Sequence, residues 1–188
     1  NPSGGGDLLM GSVATRNEPL HLKLKFTHMR LGWGIGANDA EAVLRALPSI
    51  DLRYRAQDAT ARELGRWLQG RPEVAQVLHP ALEGSPGHAN WRALCGKRNL
   101  AAGLFSIVLR AEHSTHAVDA FCDALQLFKL GYSWGGPMSL VVPYDVRSMR
   151  SKALGTWTHE GVLVRFSVGL EALEDLRADL AQALGALG

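Results

Sequence analysis

The sequence predicts an α/β chain built in two unequal parts. From Val74 onward strand-like and helix-like patterns alternate, and a long amphipathic stripe beginning at Leu47 leads into them. Residues 1–46 differ, because Gly4, Gly5 and Gly6, and then Gly32, Gly34 and Gly36, punctuate one short strand pattern and two helix patterns. A compact unit of about 100–150 residues is a common domain size, so residues 47–188 are expected to form one small α/β domain. Residues 1–46 would finish another.

Leu8 to Ala14 alternates apolar and small residues over a length suited to a buried strand. Glu18 to Met29 suits a helix, and the three glycines then break the chain before Asn38 or Asp39 caps the next one. Pro48 interrupts that helix early but can open another, where its missing N–H costs nothing. Leu47, Ile50, Tyr54, Ala61, Leu64 and Leu68 keep one helical face, with Gln57 the one polar position on it. Gly70 and Pro72 end this helix, and Val74 to Leu78 follows as a strand. Gly84 to Asn90 reads as an exposed turn, and Gly103 introduces a strand over Leu104 to Leu109. Val118, Phe121, Cys122, Leu125 and Phe128 form the next helical stripe. Ser139 to Val142 and Val162 to Val168 are further strands, and Leu170, Leu173, Leu176, Leu180, Leu184 and Leu187 make a terminal helix.

Composition narrows the function classes. With 46% hydrophobic and 20% charged residues among 188, the chain is an ordinary globular sequence. The formal charge of +2 comes from 20 basic and 18 acidic residues mixed along the chain, which leaves no concentrated footprint for nucleic acid. Apolar runs fall far short of the roughly 20 residues that cross a bilayer, so no membrane partner is expected. Cys95 and Cys122 are isolated and form no CxxC pair, which fits a reducing, cytoplasmic setting. The opening residues Asn1 to Asp7 carry neither an initiator methionine nor a leader pattern, so the chain is expected to begin mid-protein.

Most motifs have an ordinary reading. Gly4-Gly5-Gly6 lacks the Gly-Lys-Ser/Thr of a phosphate-cradling loop, and Gly32, Gly34 and Gly36 lack the spacing and leading strand of a dinucleotide fingerprint. His113 and His116 lack a third convergent ligand, so capping and solvation are expected and no metal. Glu171, Glu174, Asp175 and Asp179 fall near the start of the terminal helix, where carboxylates favour the macrodipole, and read as a solvated face.

Arg165 is more informative. Val162, Val164, Phe166 and Val168 point to one side of their strand, and Leu163, Arg165 and Ser167 to the other. An arginine in so apolar a strand needs an anion for its planar fork. Two anions remain open: the carboxylate of an internal Asp or Glu, or the carboxylate of a substrate held through paired hydrogen bonds. Leu130 to Pro137 (LGYSWGGP) is either a rigid packed turn or a segment that presents backbone N–H groups and Ser133 to a ligand.

These last motifs carry a resemblance. Ser133-Trp134-Gly135-Gly136, Ser139-Leu140, Leu163-Val164-Arg165 and Val168-Gly169-Leu170-Glu171 resemble the cystathionine β-lyase branch of the Cys/Met-metabolism enzymes that use pyridoxal 5'-phosphate (PLP). Gly4, Asp7, Gly11, Leu44-Arg45 and Pro80-Ala81-Leu82 before Gly84-Ser85 are similar too, so the resemblance spans essentially the whole chain. Two departures stand out: Gly5-Gly6 occupies the place of a common His-Ser, and Met138 that of a common glutamate.

The resemblance implies the C-terminal portion of a fold-type I PLP-dependent transferase-like enzyme. Residues 1–46 would end the large PLP-binding domain, and 47–188 would be the small domain with a mainly antiparallel sheet. It implies β-elimination of cystathionine to homocysteine, pyruvate and ammonia, as in methionine biosynthesis. A γ-lyase, γ-synthase or cysteine desulfhydrase activity is the alternative, or a non-catalytic role for the isolated chain. Arg165 would bind the substrate α-carboxylate with Ser133 and Trp134, while cofactor contacts are unassigned. The Schiff-base lysine is expected immediately before Asn1, and Lys23, Lys25, Lys97, Lys129 and Lys152 do not stand in its context. Implied partners are a small amino-acid thioether, the N-terminal half of the same enzyme, and further copies in a homodimer or homotetramer.

Overall fold

The computed structural model describes residues 2–151 and 155–188; Asn1 and Lys152 lie outside the described residues. The chain falls into two compact units, Asn1–Ile50 and Asp51–Gly188.

In the first unit, helix α1 spans Glu18–Leu31. Asn17 Oδ1 accepts from Leu20 N at 2.9 Å and so satisfies one of the helix's orphan donors. Leu20, Leu22, Leu24 and Phe26 lie on alternating sides of α1, and none of its residues is buried. Helix α2 spans Ala37–Ala46, one residue before the expected cap. Gly36 is the capping residue and makes no side-chain bond, while Asp39 sits in the first turn. The strand expected over Leu8 to Ala14 does not form. The segment has no ladder partner among the described residues, and Leu9 and Val13 are exposed; alternation alone makes no strand unless a neighbour takes its backbone hydrogen bonds.

Helix α3, Ile50–Gln69, starts at the boundary and supplies the first element of the second unit, after a 3₁₀ turn at Leu47–Ser49 that carries Pro48 in its first turn. Strand β1 (Val74–Leu78), helix α4 (His88–Cys95), strand β2 (Leu104–Leu109) and helix α5 (Thr115–Ala124) follow. Strands β3 (Lys129–Leu130) and β4 (Leu140–Tyr144), helix α6 (Val146–Met149), strand β5 (Leu163–Ser167) and helix α7 (Leu173–Leu184) complete it. Helix α4 begins inside the segment expected to be an exposed turn, and Ser85 just before it is buried. Its HANWRALC sequence is only eight residues long and follows directly on Gly87, so the turn signals before it hide the helix.

The five strands lie in the order β1-β2-β5-β4-β3, antiparallel throughout except for the short β3–β4 pair. This is the mainly antiparallel α/β fold that the resemblance implied. Ile107 faces Val164, and Phe105 and Val141 flank Phe166. Because side chains alternate along a strand, these residues share one face of the sheet. They pack with Leu64 and Leu68 of α3, Phe121 of α5 and Leu176 and Leu180 of α7. Phe166 lies at the centre, with ring centroids 5.4 Å from Phe105, 5.2 Å from Phe128 and 6.5 Å from Phe121. The opposite face, with Ser106, Val142, Leu163 and Arg165, is only partly covered.

Several polar groups of this core find partners. Asp58 Oδ1 accepts from Arg62 Nε at 3.0 Å and from Ala101 N at 2.9 Å, while Arg62 reaches Asn99 Oδ1 and Asn99 O. Cys122 is buried, and burial pushes its thiol up to about 12. His113 Nδ1 lies 3.1 Å from Leu187 O. No helix among the described residues is long and apolar enough to cross a membrane.

His79 is fully buried against Phe105, and Ala81 N donates to its Nδ1 at 3.2 Å. Burial, and then the nearby Arg62 charge, hold its folded-state value below the ordinary histidine range. The unfolded chain therefore takes up a proton at higher pH than the native one. Stability from this group is complete above about pH 6.5, the unfolded value, and is lost as pH falls through the lower folded value. The melting temperature should drop between pH 7.5 and 5, and H79Q should flatten that drop; an unchanged slope would remove His79 as its source.

Candidate functional site

The site lies on the partly covered face of the sheet. Arg165 is the middle residue of β5, directly opposite Ser106 on β2 and Val142 on β4. The register that sends Val164 and Phe166 into the core turns Arg165 the other way. It is half-buried, and none of the ion pairs among the described residues includes it. Its Nη2 donates to Tyr132 O at 2.8 Å and, more weakly, to Gly131 O and Ser133 O at 3.4 Å each. Its Nε is buried with no hydrogen-bond partner among the described residues. The guanidinium carbon lies 5.7 Å from the Trp134 ring centroid and 5.7 Å from that of Tyr144.

The three residues singled out in the sequence therefore come together. Ser133 contributes its carbonyl and is itself exposed, Trp134 contributes its ring, and Arg165 supplies the cation. Of the two anions open to Arg165 in the sequence, an internal carboxylate is absent among the described residues. The guanidinium is bound along one edge by neutral carbonyls, and a buried N–H remains unused. A buried donor without a partner carries a desolvation cost of about 1–3 kcal/mol, which an incoming carboxylate would relieve.

The loop is held from several sides. Gly135 has φ +70°, a left-handed conformation that glycine adopts without strain, and its N–H donates to Ser167 Oγ at 3.2 Å. Gln57, the polar position on the α3 stripe, is 6% exposed and donates from Nε2 to Gly136 O at 2.7 Å. Leu170 N donates to Pro137 O at 2.8 Å. A Cβ at Gly169 would run into that same carbonyl, so the close approach requires glycine. At the end of the loop Ser139 donates its N–H and its hydroxyl to Glu171, both at 2.8 Å, while Gly169 N donates to Ser139 Oγ at 2.9 Å.

Two members of the acidic run thus depart from the solvated face expected of them. Glu171 anchors Ser139, and Asp179 is 6% exposed. Asp179 accepts from Gln126 N and Leu127 N at 2.8 Å and from Phe128 N at 3.2 Å, holding the turn that feeds β3 and the Ser133 loop. Glu174 and Asp175 do lie exposed in the first turn of α7. The signal for Asp179 was available: it stands three residues after Leu176 and next to Leu180, on the flank of the apolar stripe.

Tyr132 and Tyr144 were not singled out in the sequence. Their rings meet edge to face at 6.4 Å. Tyr144 also lines a cleft of about 310 Å³ with Asp145, Arg147 and Trp157.

The donor set at Arg165 fits the acid group of an amino acid, which a cationic planar fork would hold. Lys129 Nζ donates to Gln126 O at 2.6 Å. Among the described residues no group of three or more His, Cys, Asp or Glu side chains converges as for a metal ion.

Residues 3–185 match the family described as Cys/Met metabolism PLP-dependent enzyme. A cystathionine beta-lyase of Bordetella avium is 38% identical over 184 residues, covering 96% of this chain and 44% of that protein. An L-alanine/L-glutamate racemase of Wolbachia pipientis wMel is 34% identical over 185 residues, covering 98% of this chain and 45% of that protein. Among solved structures, a cystathionine gamma synthase from Xanthomonas oryzae pv. oryzae, in complex with aminoacrylate and cysteine, superposes with a TM-score of 0.82 at 32% identity. It covers 99% of this chain and 48% of that one. The chain thus spans a little under half the length of the relatives it matches.

Proposed function

This chain belongs to the Cys/Met metabolism PLP-dependent enzymes, and from that premise we propose that its parent protein is a carbon–sulfur lyase acting on cystathionine. In this reading the chain is the C-terminal half, with residues 1–46 ending the large cofactor domain and 47–188 forming the small one. Helix α1 leaves Leu20, Leu22, Leu24, Phe26, Met29 and Leu31 exposed, which supports further protein packed around the first unit. The parent would act in the cytoplasm as a homodimer or homotetramer.

One observation carries the functional reading: among the described residues the half-buried Arg165 guanidinium has no carboxylate partner and keeps a buried N–H unused beside the Ser133–Trp134 turn. Arg165 would receive the α-carboxylate of the substrate. The Trp134 ring against the guanidinium and the Tyr132 carbonyl on Nη2 hold the fork in place before substrate arrives. Bound PLP supplies the electron sink for bond breaking at the α-carbon. By fixing the acid group, Arg165 orients the Cα–H bond for proton removal, a positioning effect worth several kcal/mol of barrier.

The net reaction takes one cystathionine and one water to homocysteine, pyruvate and ammonia. A second reading, γ-chemistry on the same substrate class, is favoured by the likeness to a cystathionine gamma synthase. Feeding cystathionine to the full-length protein separates them. Pyruvate is expected as the 2-oxo acid product, and 2-oxobutyrate in its place would overturn the β-elimination reading.

A further inference from the structure

The geometry points to Tyr144 as a positioning residue for the Arg165 fork, an inference that rests on the carboxylate-binding role given to Arg165 above. Tyr144 stands opposite Leu163 in the β4–β5 register, and Val142 stands opposite Arg165. Residues two apart on a strand share a face, so Tyr144 is the diagonal neighbour of Arg165 on the same side of the sheet. That is the reach at which a long side chain and an aromatic ring still meet, and the guanidinium carbon is 5.7 Å from the ring centroid.

The carbonyls and the rings restrain different motions. Carbonyls of Gly131, Tyr132 and Ser133 grip Nη2 and define the direction of one edge. Hydrogen bonds along one edge leave the plane free to tilt about that edge. Aromatic rings attract a planar cation electrostatically and resist that tilt. Trp134 supplies one ring, from a loop that is 59% exposed at that residue, whereas Tyr144 is half-buried within a strand. The strand-borne ring is the firmer support. Tyr132 meets Tyr144 edge to face and steadies it in turn. The Tyr144 hydroxyl makes no hydrogen bond among the described residues, so the ring rather than the hydroxyl carries the role.

The test uses the full-length enzyme and the variants Y144F, Y144L, R165K, and Y144L with R165K. Y144F keeps the ring and should stay within about twofold of wild type in both kcat and KM. Y144L should raise KM for cystathionine roughly tenfold, the scale of a partly desolvated cation–π contact, with a smaller change in kcat. It should also narrow the preference for cystathionine over its α-carboxamide. In the R165K background, where the planar fork is gone, Y144L should have little further effect, because coupled residues are non-additive.

A Y144L enzyme with unchanged KM, or full additivity with R165K, overturns the role of Tyr144. So does a Y144F enzyme whose KM rises roughly tenfold over wild type, an outcome that decides the matter even where Y144L fails to fold. If R165K and R165A both turn over normally, it is the carboxylate role of Arg165 that fails; damage at Arg165 with an indifferent Tyr144 sinks only the present inference.

Discussion

R165A in the full-length enzyme should lower kcat/KM for cystathionine by roughly 100- to 1,000-fold. A charge-assisted pair of hydrogen bonds to a carboxylate contributes about 3–4 kcal/mol, and each 1.4 kcal/mol is tenfold. The loss should fall on kcat as well as KM, since the acid group held by Arg165 also orients the reacting bond. R165K should recover part of the binding: it restores the charge but cannot form two parallel bonds. Cofactor content, read from visible absorbance, should remain at the wild-type level, because no role in holding PLP falls to this side chain. Truncation also removes the donor to Tyr132 O, so a melting curve belongs beside the kinetics. Near-normal kcat/KM in a folded R165A enzyme would refute the role of Arg165 as carboxylate receptor.

The second large effect is on stability. D179A should cost about 4 kcal/mol, because it strands the backbone N–H groups of Gln126, Leu127 and Phe128 in a largely buried turn. For a unit of this size that corresponds to a fall in melting temperature of roughly 14 °C. D179N should lose less, since its remaining carbonyl oxygen can still accept. Phe128, whose N–H is one of the three, also packs on Phe166 at 5.2 Å, so disorder in the turn should spread into the core. Because the same turn feeds β3 and the Ser133 loop, D179A should also weaken substrate binding at temperatures where the fold persists. A D179A melting curve superimposable on wild type would show that water replaces the carboxylate without cost.

Both predictions depend on residues that the sequence presented unequally. Arg165 was legible because Val162 to Val168 alternates, and alternation in a strand assigns sides without knowledge of the neighbours. Ser133 was legible as one of two open readings of the Leu130 to Pro137 segment, but the part of Trp134, and the meeting of both with Arg165, came only through the family resemblance. Nothing in the spacing brings residue 133 against residue 165, a separation of 32. Tyr144 was passed over because the expected strand stopped at Val142, whereas β4 runs on through Pro143 to Tyr144. Its relation to Arg165 arises from the register that pairs Val142 with Arg165 and Tyr144 with Leu163. Asp179 was misjudged as solvated because acidic residues near a helix start have a sufficient local reason to be there. The donors it serves lie more than fifty positions earlier, with a separation of 53 from Gln126.

By itself the sequence determined most of what repeats locally: the α3 and α7 stripes, the α5 stripe as far as Cys122, since the helix stops at Ala124 short of the expected Leu125 and Phe128, strands β1, β2, β4 and β5, and the face of β5 that carries Arg165. Helical and strand periods are properties of the backbone, so a side chain's direction follows from its position. Tertiary structure alone decided which strand pairs with which, that Leu8 to Ala14 goes without a partner, that α4 forms, and which buried polar group meets which donor. Those outcomes depend on chain closure over tens of residues, and hydrogen bonds are satisfied by whatever that closure brings within about 3 Å.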